Sequence, residues 1–586
     1  MVRYSHIIAG ILVFMLSSCC NVQEKYGWDH PYIRYEAQEN LCKGNCRFLP
    51  PSDLIADVQN EASYRMAAQL INEGDFVEWT CLADADGLVI RFSLPDSDDG
   101  KGTKGNISLV VENENLADIC LDSYHAWQYK DYRIGEGAWY LWNENGPERF
   151  PRMKYDEYRL LLNKKILKGQ KFSLVKVDNN TIPYTIDFVE LEEVPEPLCF
   201  DDIEENDKVC YDPSYGPLDQ FVIENGGKTI FIPEGRYEVK DMIVMPEDST
   251  KIIGAGIWHT EVYFNASLED RSVIRNRGFF SQGKSHCVLA NMYVGTNNER
   301  RYVDYQSGGD VGMGIRGTWV SSKFSNLWIE HFSCSAWVNA VDSHFEYCRF
   351  RNTYADGANL SHESSRTVFE NSDFRNNGDD AIASWSSHTS GKPTEFLVFR
   401  NLTMDLGWRA GALGIFGGRG HQVSNIHIKD VLEEGVRVAT SFPGPGFDSQ
   451  DTMYFERILI ERTGVAPGKV GVSGGLHGGG GAALSLSSHY LYDMYNINMK
   501  DITIRDSYWD AVHFASSRGF KMNNIHIENL HIDGWKSWAI NNDQNASPKG
   551  TVTIENVSFD NGPKDRRISP ATEGYEFNVI NRYDYE

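Results

Sequence analysis

The sequence has 586 residues, 41% of them hydrophobic, so it is long enough for two or three globular domains with cores of their own. Its 56 basic and 82 acidic side chains give a formal net charge of −26 at pH 7, and no long basic run offsets this charge locally. Such a charge repels phosphate backbones and anionic lipid headgroups, which excludes nucleic acid as a partner.

Residues 1–18 predict a cleaved export signal. The basic residue Arg3 precedes an apolar run that ends at Leu16 and is too short to span a bilayer. The stretch LSSC is similar to the bacterial lipobox, and this similarity implies a lipid on Cys19. We therefore expect an exported, cell-surface or periplasmic lipoprotein that is held at the membrane by its lipid, with residues 19–34 as a tether. The alternative is an ordinary signal peptide cut near the same place, which removes Cys19.

Export permits disulfide bonds. Two pairs of cysteines are close enough in sequence to form them, Cys42 with Cys46 and Cys199 with Cys210. Three further cysteines lie in apolar, strand-like segments and indicate core packing: Cys287, Cys334 and Cys348. No cysteine spacing fits a zinc site, and the acidic loop PDSDDGKG lacks the regular ligand spacing of a calcium loop. We expect no cofactor, with a structural calcium ion as the open alternative.

Residues 35–198 contain short segments in which apolar and polar residues alternate, such as GLVIRFSLP and KFSLVKV. Alternation with a period of two between turn residues predicts an antiparallel β-sandwich. The acidic, proline-bearing stretch that follows predicts a linker over residues 199–216. A β-sandwich placed before another β domain either binds ligand itself or covers an open sheet edge, and we expect mainly the second role.

Residues 217–586 carry a recurring unit in which a polar or Asn position precedes an apolar-x-apolar pattern. Nine copies occur in order, and a second apolar series interleaves with them. Steps of 21 to 24 residues between copies, lengthened in places by inserted loops, predict a parallel β-helix rather than a propeller. The first core positions of the nine copies are Leu327, Cys348, Ser372, Leu402, Ile426, Ile458, Ile502, Leu530 and Val557.

Three acidic residues in this region have the spacing of one coil. Asp379 and Asp380 follow Asp356 by 23 and 24 residues. Because strands of adjacent coils lie about 4.7 to 4.9 Å apart, the three carboxylates are expected to cluster. Mutual repulsion then splits their pKa values, which gives the acid and the base that glycosidic hydrolysis requires. The structural alternative is a ladder of acids that satisfies the backbone of turns.

Four residues near the acids are candidates for binding a sugar. Trp385 and Trp408 offer flat faces on which sugar rings stack, although core packing also explains a single Trp. His421 and Arg437 lie on following coils, where they are expected to contact substrate hydroxyls or to serve as surface or turn residues.

The motifs TYADGANL, RNNGDDAIASW and WRAGALGIFGG resemble family 87 of the glycoside hydrolases, the α-1,3-glucanases and mycodextranase. The resemblance continues upstream through IFIPEGRYEV and KIIGAGIWHTEV, and the first domain is similar to that family's jelly-roll, carbohydrate-binding-module-like domain. It implies an all-β chain with a right-handed parallel β-helix.

The resemblance also implies a function: a monomeric enzyme that cleaves internal α-1,3 bonds of an α-glucan with inversion. Asp379 is then the general acid, and Asp356 and Asp380 position and deprotonate the water. Asp405 in LTMDLGWRAG corresponds to a further acid of the cleft. Inversion requires carboxyl groups about 6.5 to 9.5 Å apart, which splayed side chains on stacked coils can supply.

Two other functions stay open at this point. A polysaccharide lyase or epimerase on the same fold needs basic residues to neutralise a uronic acid, and the coils that bear Asp356 and Asp379 lack them in the cleft register. A surface protein that binds carbohydrate without cleaving it needs no acid–base pair. Loss of sugar release on changing Asp356 or Asp380 to Asn distinguishes the hydrolase from the binding protein.

Overall fold

The computed structural model describes residues 25–54, 56–98, 100–128, 152–265, 277–298, 312–386, 391–440, 444–464, 481–488 and 492–581. The predicted signal peptide and Cys19 lie outside these residues. None of the helices in these ranges is long and apolar enough to cross a membrane.

The first domain is a β-sandwich of two antiparallel sheets. Alternate residues of its strands, such as Phe172 and Leu174, are buried between the sheets, as the period-two pattern predicts. One sheet has the order β3-β4-β11-β6-β9, with β1 also paired to β11, and the other has the order β2-β5-β10-β7-β8. The strands are β1 Tyr32–Glu36, β2 Lys43–Asn45, β3 Arg47–Leu49, β4 Ala67–Leu70, β5 Phe76–Thr80, β6 Ala85–Ser93, β7 Lys104–Val111, β8 Glu114–Asp122, β9 Asp156–Ile166, β10 Lys171–Lys176 and β11 Tyr184–Glu192.

The second domain is a parallel β-helix whose coils form two sheets, here called the long sheet and the short sheet. The long sheet contains β12 Lys208–Cys210, β13 Thr229–Ile232, β14 Gly235–Val239, β16 Lys251–Gly254, β17 Thr260–Phe264, β19 Val288–Thr296, β21 Lys323–Glu330, β23 His344–Glu346, β24 Arg349–Arg351, β26 Val368–Arg375, β28 Val398–Asp405, β30 Gln422–Lys429, β32 Met453–Glu461, β34 Met494–Ser507, β36 Met522–Trp535, β38 Gly550–Asp560 and β39 Tyr575–Ile580. The short sheet contains β15 Ile243–Val244, β18 Phe279–Ser285, β20 Met313–Val320, β22 Cys334–Val341, β25 Ala358–Leu360, β27 Ile382–Trp385, β29 Leu413–Phe416, β31 Val436–Ala439, β33 Leu484–Ser488, β35 Val512–Ser516 and β37 Ile540–Asn542.

The predicted register of the coils is confirmed. Ser372 pairs with Leu402, which pairs with Ile426, and the series continues through Ile458, Ile502 and Leu530 to Val557. All of these side chains are buried inside the β-helix. The apolar-x-apolar pattern therefore marks the residues that stack from coil to coil.

The sandwich does not cover the first coil, so this prediction is wrong. The single α-helix of the described chain, α1 (Leu218–Glu224), packs Leu218 and Val222 into that end of the core instead. Short 3₁₀ helices lie at Val58–Glu61, Ser63–Arg65, Phe200–Asp202, Pro213–Tyr215 and Lys564–Arg566. The sandwich lies along the side of the β-helix, where its contacts reach from Trp258 to Lys536.

Buried ion pairs join the two domains along this side. Arg375 of β26 donates two hydrogen bonds to the Glu190 carboxylate of β11, at 2.6 and 2.8 Å, and one to Glu157 of β9 at 3.1 Å. Arg349 donates to Glu192 at 2.7 Å. Since all of these side chains are almost completely buried, each charge depends on its partner across the boundary.

The residues before β1 also contact the β-helix. The carbonyl of Gly27 accepts a hydrogen bond from Asn425 at 3.2 Å, and the ring nitrogen of His30 lies 3.0 Å from the Thr403 hydroxyl. Strand β1 begins at Tyr32, three residues before the predicted start of the sandwich. The described end of the predicted tether is thus packed against the long sheet.

Neither of the two possible disulfides is formed in this structure. Cys42, Cys46, Cys199 and Cys210 are free thiols, and the Cys42 thiol donates to the Gln38 carbonyl at 3.4 Å. The prediction of core cysteines is confirmed, since Cys287, Cys334 and Cys348 are buried.

Candidate active site

The three predicted acids lie together at one corner of the coils. Asp356 precedes β25, and Asp379 and Asp380 precede β27. Because Ala358 pairs with Ile382, Asp356 and Asp380 occupy equivalent places in adjacent coils. One carboxylate oxygen from each of the three lies within 4.8 Å of the others.

Gly378 places the backbone before the acid pair in close contact with Trp408. A Cβ atom on Gly378 would lie 2.1 Å from the Trp408 ring and 2.6 Å from the Tyr354 carbonyl. Trp408 is only 1% exposed, and its indole nitrogen donates to the Thr353 carbonyl at 3.2 Å. Trp408 therefore supports the turn from below, and its prediction as a sugar-stacking residue is wrong.

Each acid has its own hydrogen-bond donor. Asn359 donates to Asp356 at 3.0 Å, and the backbone N–H of Gly411 donates to Asp380 at 3.1 Å. The Arg409 guanidinium donates to Asp379 at 2.9 Å. These donors fix the three carboxylates without filling the space between them.

Burial and mutual repulsion keep protons on the cluster. Burial, followed by the charge of Asp379, raises the pKa of Asp356 to about 8. Burial also raises the pKa of Asp380 well above its ordinary value, together with the charges of Asp379 and Asp356, while Arg437 opposes the shift. Carboxylates this close either bind a cation or share protons, and burial away from water favours shared protons. The site therefore holds the proton that a general acid requires at neutral pH.

The next coil comes close to Asp380 at Gly414. A Cβ atom on Gly414 would lie 2.5 Å from an Asp380 oxygen, so only glycine fits opposite this carboxylate. Arg437 pairs with Gly414 in the following coil and lies close enough to influence Asp380. Its predicted place beside the acids agrees with the structure.

Trp385 lies at the edge of the same site. Its indole nitrogen donates to Asn359 at 2.7 Å, and Asn359 in turn donates to Asp356. Trp385 is partly exposed and pairs with Phe416 of the next coil, so the two aromatic residues adjoin the acids. This position suits a contact with a sugar ring.

Two other predicted binding residues are wrong. Asp405 lies at the end of β28 in the long sheet, where it is 4% exposed and accepts from Arg34 of the sandwich at 2.7 Å. Although burial raises its pKa, the charge of Arg34 and other basic residues holds the pKa well below the usual range. Asp405 thus belongs to the domain boundary.

His421 is completely buried, with Nδ1 accepting from the Leu397 backbone at 3.2 Å. Burial lowers its pKa to about 3, so the ring is neutral. It fills a turn inside the fold and contacts no groove.

Sequence analysis missed Asn359 and Arg409. Asn359 follows Asp356 by three residues, a spacing that carries no clear signal by itself. Arg409 follows Asp379 by 30 residues, which equals the step from Ser372 to Leu402 in the same pair of coils. This shared spacing of 30 residues is the sequence feature from which Arg409 could have been predicted to lie beside Asp379. The basic residues of the site therefore come from the coils after the acids, while the coils bearing the acids supply none.

A buried cluster of carboxyl groups that keeps protons, set beside an open corner of a parallel β-helix, defines a polysaccharide-cleaving enzyme of the glycoside hydrolase class. Residues 29–194 match the family model of α-1,3-glucanase catalytic domain D1, and residues 215–579 match that of domain D2. The chain belongs to the α-1,3-glucanase catalytic-domain family, family 87 of the glycoside hydrolases. The lyase, epimerase and binding-protein alternatives do not describe this family.

Solved structures share the whole fold. A family 87 α-1,3-glucanase catalytic domain in complex with nigerose is 23% identical, with a TM-score of 0.79, and 95% of this chain and 100% of that chain are covered. The Agl-KA catalytic domain is 24% identical, with a TM-score of 0.78 and coverage of 95% and 98%. The catalytic unit of a thermostable enzyme from Streptomyces thermodiastaticus strain HF3-3 is 22% identical, with a TM-score of 0.76 and coverage of 95% and 96%. A search of curated proteins finds no match.

Proposed function

We propose that this enzyme hydrolyses internal α-1,3-glucosidic bonds of an α-glucan with inversion, using Asp379 as the general acid and the stacked pair Asp356 and Asp380 to activate water. The observation that carries the proposal is the cluster of three carboxylates within 4.8 Å that retains protons at neutral pH. Acid and base both come from the chain, so the proposed reaction needs no cofactor.

Asp379 is the best placed of the three to reach the glycosidic oxygen. Its side chain is 25% exposed, whereas Asp356 and Asp380 are buried. When Asp379 gives its proton to the leaving oxygen, the Arg409 guanidinium stabilises the carboxylate that remains. Arg409 therefore favours the charge that develops during bond cleavage.

Asp356 and Asp380 are placed to share one proton and one negative charge. Burial and mutual repulsion raise the pKa values of Asp356 and Asp380, which favours a proton held within the stacked pair. As the C–O bond breaks, water attacks the anomeric carbon and gives its proton to this pair. Asp379 loses a proton and the pair gains one, so the net charge of the three carboxyl groups does not change.

Because of the spacing of the acids, the anomeric configuration of the first product is an informative test of the proposed mechanism. One oxygen of each acid lies within 4.8 Å of the others, whereas the roughly 6.5 to 9.5 Å of an inverting pair is measured between whole carboxyl groups, so the separation expected from the sequence stays a prediction. With two residues alone, such closeness favours retention; here the third carboxylate supplies a second water-binding oxygen.

We expect the β-anomer as the first product from a soluble α-1,3-linked gluco-oligosaccharide, measured by ¹H NMR before mutarotation. Long products are expected early from the polymer, as internal cleavage requires. An α-anomer contradicts inversion, release of only terminal sugars contradicts internal cleavage, and an unsaturated sugar contradicts hydrolysis altogether.

We also propose that the enzyme is exported and held at a membrane by a lipid on Cys19. The support is the sequence alone, namely the apolar run followed by LSSC. Changing Cys19 to Ala in the full chain with its own leader is expected to move the enzyme from the membrane fraction to the soluble fraction. Retention of this variant in the membrane fraction contradicts a lipid anchor at Cys19.

A further inference from the structure

A second cleft, of about 600 Å³, lies where the N-terminal segment, the end of the sandwich and the long sheet meet. None of the three catalytic acids lines it. Its walls include several aromatic and nitrogen-bearing side chains: Trp28, Trp258, His259, Asn326, Tyr347 and Arg349. Each wall comes from a different part of the chain, so the folded protein builds this cleft separately from the hydrolytic site.

A ladder of asparagines runs along the long sheet beside this cleft. At one bend of each coil the backbone has a positive φ, and the residue there is Asn in seven coils, with φ between 48° and 57°: Asn291, Asn326, Asn371, Asn401, Asn425, Asn529 and Asn556. Neighbouring side chains join, since Asn326 donates to Asn291 at 2.9 Å and Asn401 donates to Asn371 at 3.1 Å. Asn tolerates the left-handed region better than bulky residues do.

Tyr347 interrupts this ladder at the cleft. Its neighbours Glu346 and Arg349 pair between β21 and β26, which places Tyr347 in the coil between Asn326 and Asn371. It has a φ of 55° and is 46% exposed. A bulky aromatic residue in this conformation costs free energy, and the exposed ring regains little by burial. Arg457 takes the same ladder position in a later coil with a φ of 58°, so it is the exposed ring beside the cleft, and not its φ alone, that points to a function for Tyr347.

Arg349 forms part of the wall of the same cleft. It is 2% exposed, and Nη2 donates to Glu192. Within the described part of the chain, its Nε and Nη1 atoms have no hydrogen-bond partner. Both atoms are buried, so Arg349 shapes this wall, and the partly exposed side chains of His259, Asn291 and Asn326 are the polar groups that can contact the hydroxyls of a ligand.

The acidic side chains around the cleft disfavour an anionic ligand, although Asp29 and Glu193 are each paired with an exposed lysine. Glu193 and Glu196 line it from the sandwich, and Asp29 lines it from the N-terminal segment. These acids repel phosphate and uronic acid groups but not a neutral chain. Aromatic rings with hydroxyl-binding groups between them match the two faces and the edges of a hexose.

We propose that this cleft is a non-catalytic binding site for a neutral glucan segment, which holds the polymer while the acid cluster cleaves another part of it. The inference rests on the proposed function, because it takes the α-glucan substrate as the ligand. Two linked sites on one polymer raise the overall affinity well above that of either site. The gain is expected on polymer and not on short oligosaccharides that reach only one site.

The test uses Tyr347→Asn, which restores the ladder residue and so keeps the fold, and Trp28→Ala on the opposite wall. Each change is made in the full chain, alone and combined with Asp379→Asn to prevent turnover. Binding of the Asp379→Asn proteins to insoluble α-1,3-glucan is measured by depletion, and both changes are expected to weaken it at least about tenfold. Hydrolysis of a short, soluble α-1,3-oligosaccharide by the Asp379-intact proteins is expected to change less than about twofold.

Tyr454→Asn is the matched control, since Tyr454 is an exposed tyrosine of the long sheet that does not line the cleft. It is expected to leave polymer binding unchanged. Wild-type binding by Tyr347→Asn, or an equal loss on polymer and on short oligosaccharide, overturns the separate site while the proposed hydrolysis stands. An unaltered enzyme that neither binds nor cleaves α-1,3-glucan overturns both.

Discussion

Asp379→Asn lowers kcat on α-1,3-glucan by about 10³-fold or more, because the amide cannot give a proton to the leaving oxygen. Asp356→Asn and Asp380→Asn lower kcat by about 10²- to 10⁴-fold, because each removes half of the pair that takes the proton from water. The measurement is the initial rate of reducing-sugar release at saturating substrate. Trp385 and Arg437 stay in place in all three variants, so substrate binding is retained.

The thermal stability of the Asp356→Asn variant distinguishes a catalytic role of Asp356 from a structural one. In the folded enzyme the pKa of Asp356 is raised from its ordinary 3.8 to about 8. Between these values the unfolded chain is ionised and the folded site keeps its proton, so stability falls as pH rises through this window. The Asn variant cannot ionise. We expect its Tm to exceed that of the unaltered enzyme at pH 8 and to match it near pH 4.

Either of two results contradicts this assignment. Full activity in any of the three Asn variants removes that residue from the proposed chemistry. A lower Tm for Asp356→Asn at pH 8 shows that the carboxyl group stabilises the fold, which is the role of a ladder acid rather than a catalytic one.

Arg375→Met lowers the free energy of unfolding by about 3–5 kcal/mol, because Glu157 and Glu190 stay buried and lose one of the two cations that they share, the other being Arg351. Urea unfolding followed by tryptophan fluorescence and circular dichroism measures this loss. Arg366→Met is the control, since Arg366 pairs with Asp342 at an exposed place where each side chain is about half exposed. That change is expected to cost at most about 1 kcal/mol.

Adding Glu190→Gln to Arg375→Met is expected to recover part of the loss, because it removes a stranded negative charge. Equal small effects from Arg375→Met and Arg366→Met contradict a buried network that joins the domains. Separate unfolding transitions in the unaltered enzyme contradict it as well.

Local pattern was enough to predict the β-helix and the acid cluster. The stacked core positions from Ser372 to Val557 follow from a repeat that each coil contains within itself. The meeting of Asp356 with Asp380 follows from one coil length. Both depend on short-range periodicity, which a single sequence displays directly.

The failures share a physical cause, which is packing between distant parts of the chain. Asp405 is one coil beyond Arg375 in the long sheet, yet its partner Arg34 is 371 residues away in the sandwich. Trp408 and His421 sit near the acids in sequence, but their surroundings are set by turns that close over them. The position of the sandwich along the side of the β-helix is determined by these same long-range contacts. Such contacts leave no repeating pattern in the sequence.

The buried ion pairs between the domains also restrict how this enzyme can change. A shift of the sandwich by one coil, about 4.8 Å along the β-helix, would separate each buried charge at the domain boundary from its partner. The two domains must therefore be inherited, exchanged or engineered together, and diversity is confined to the loops that leave the boundary untouched.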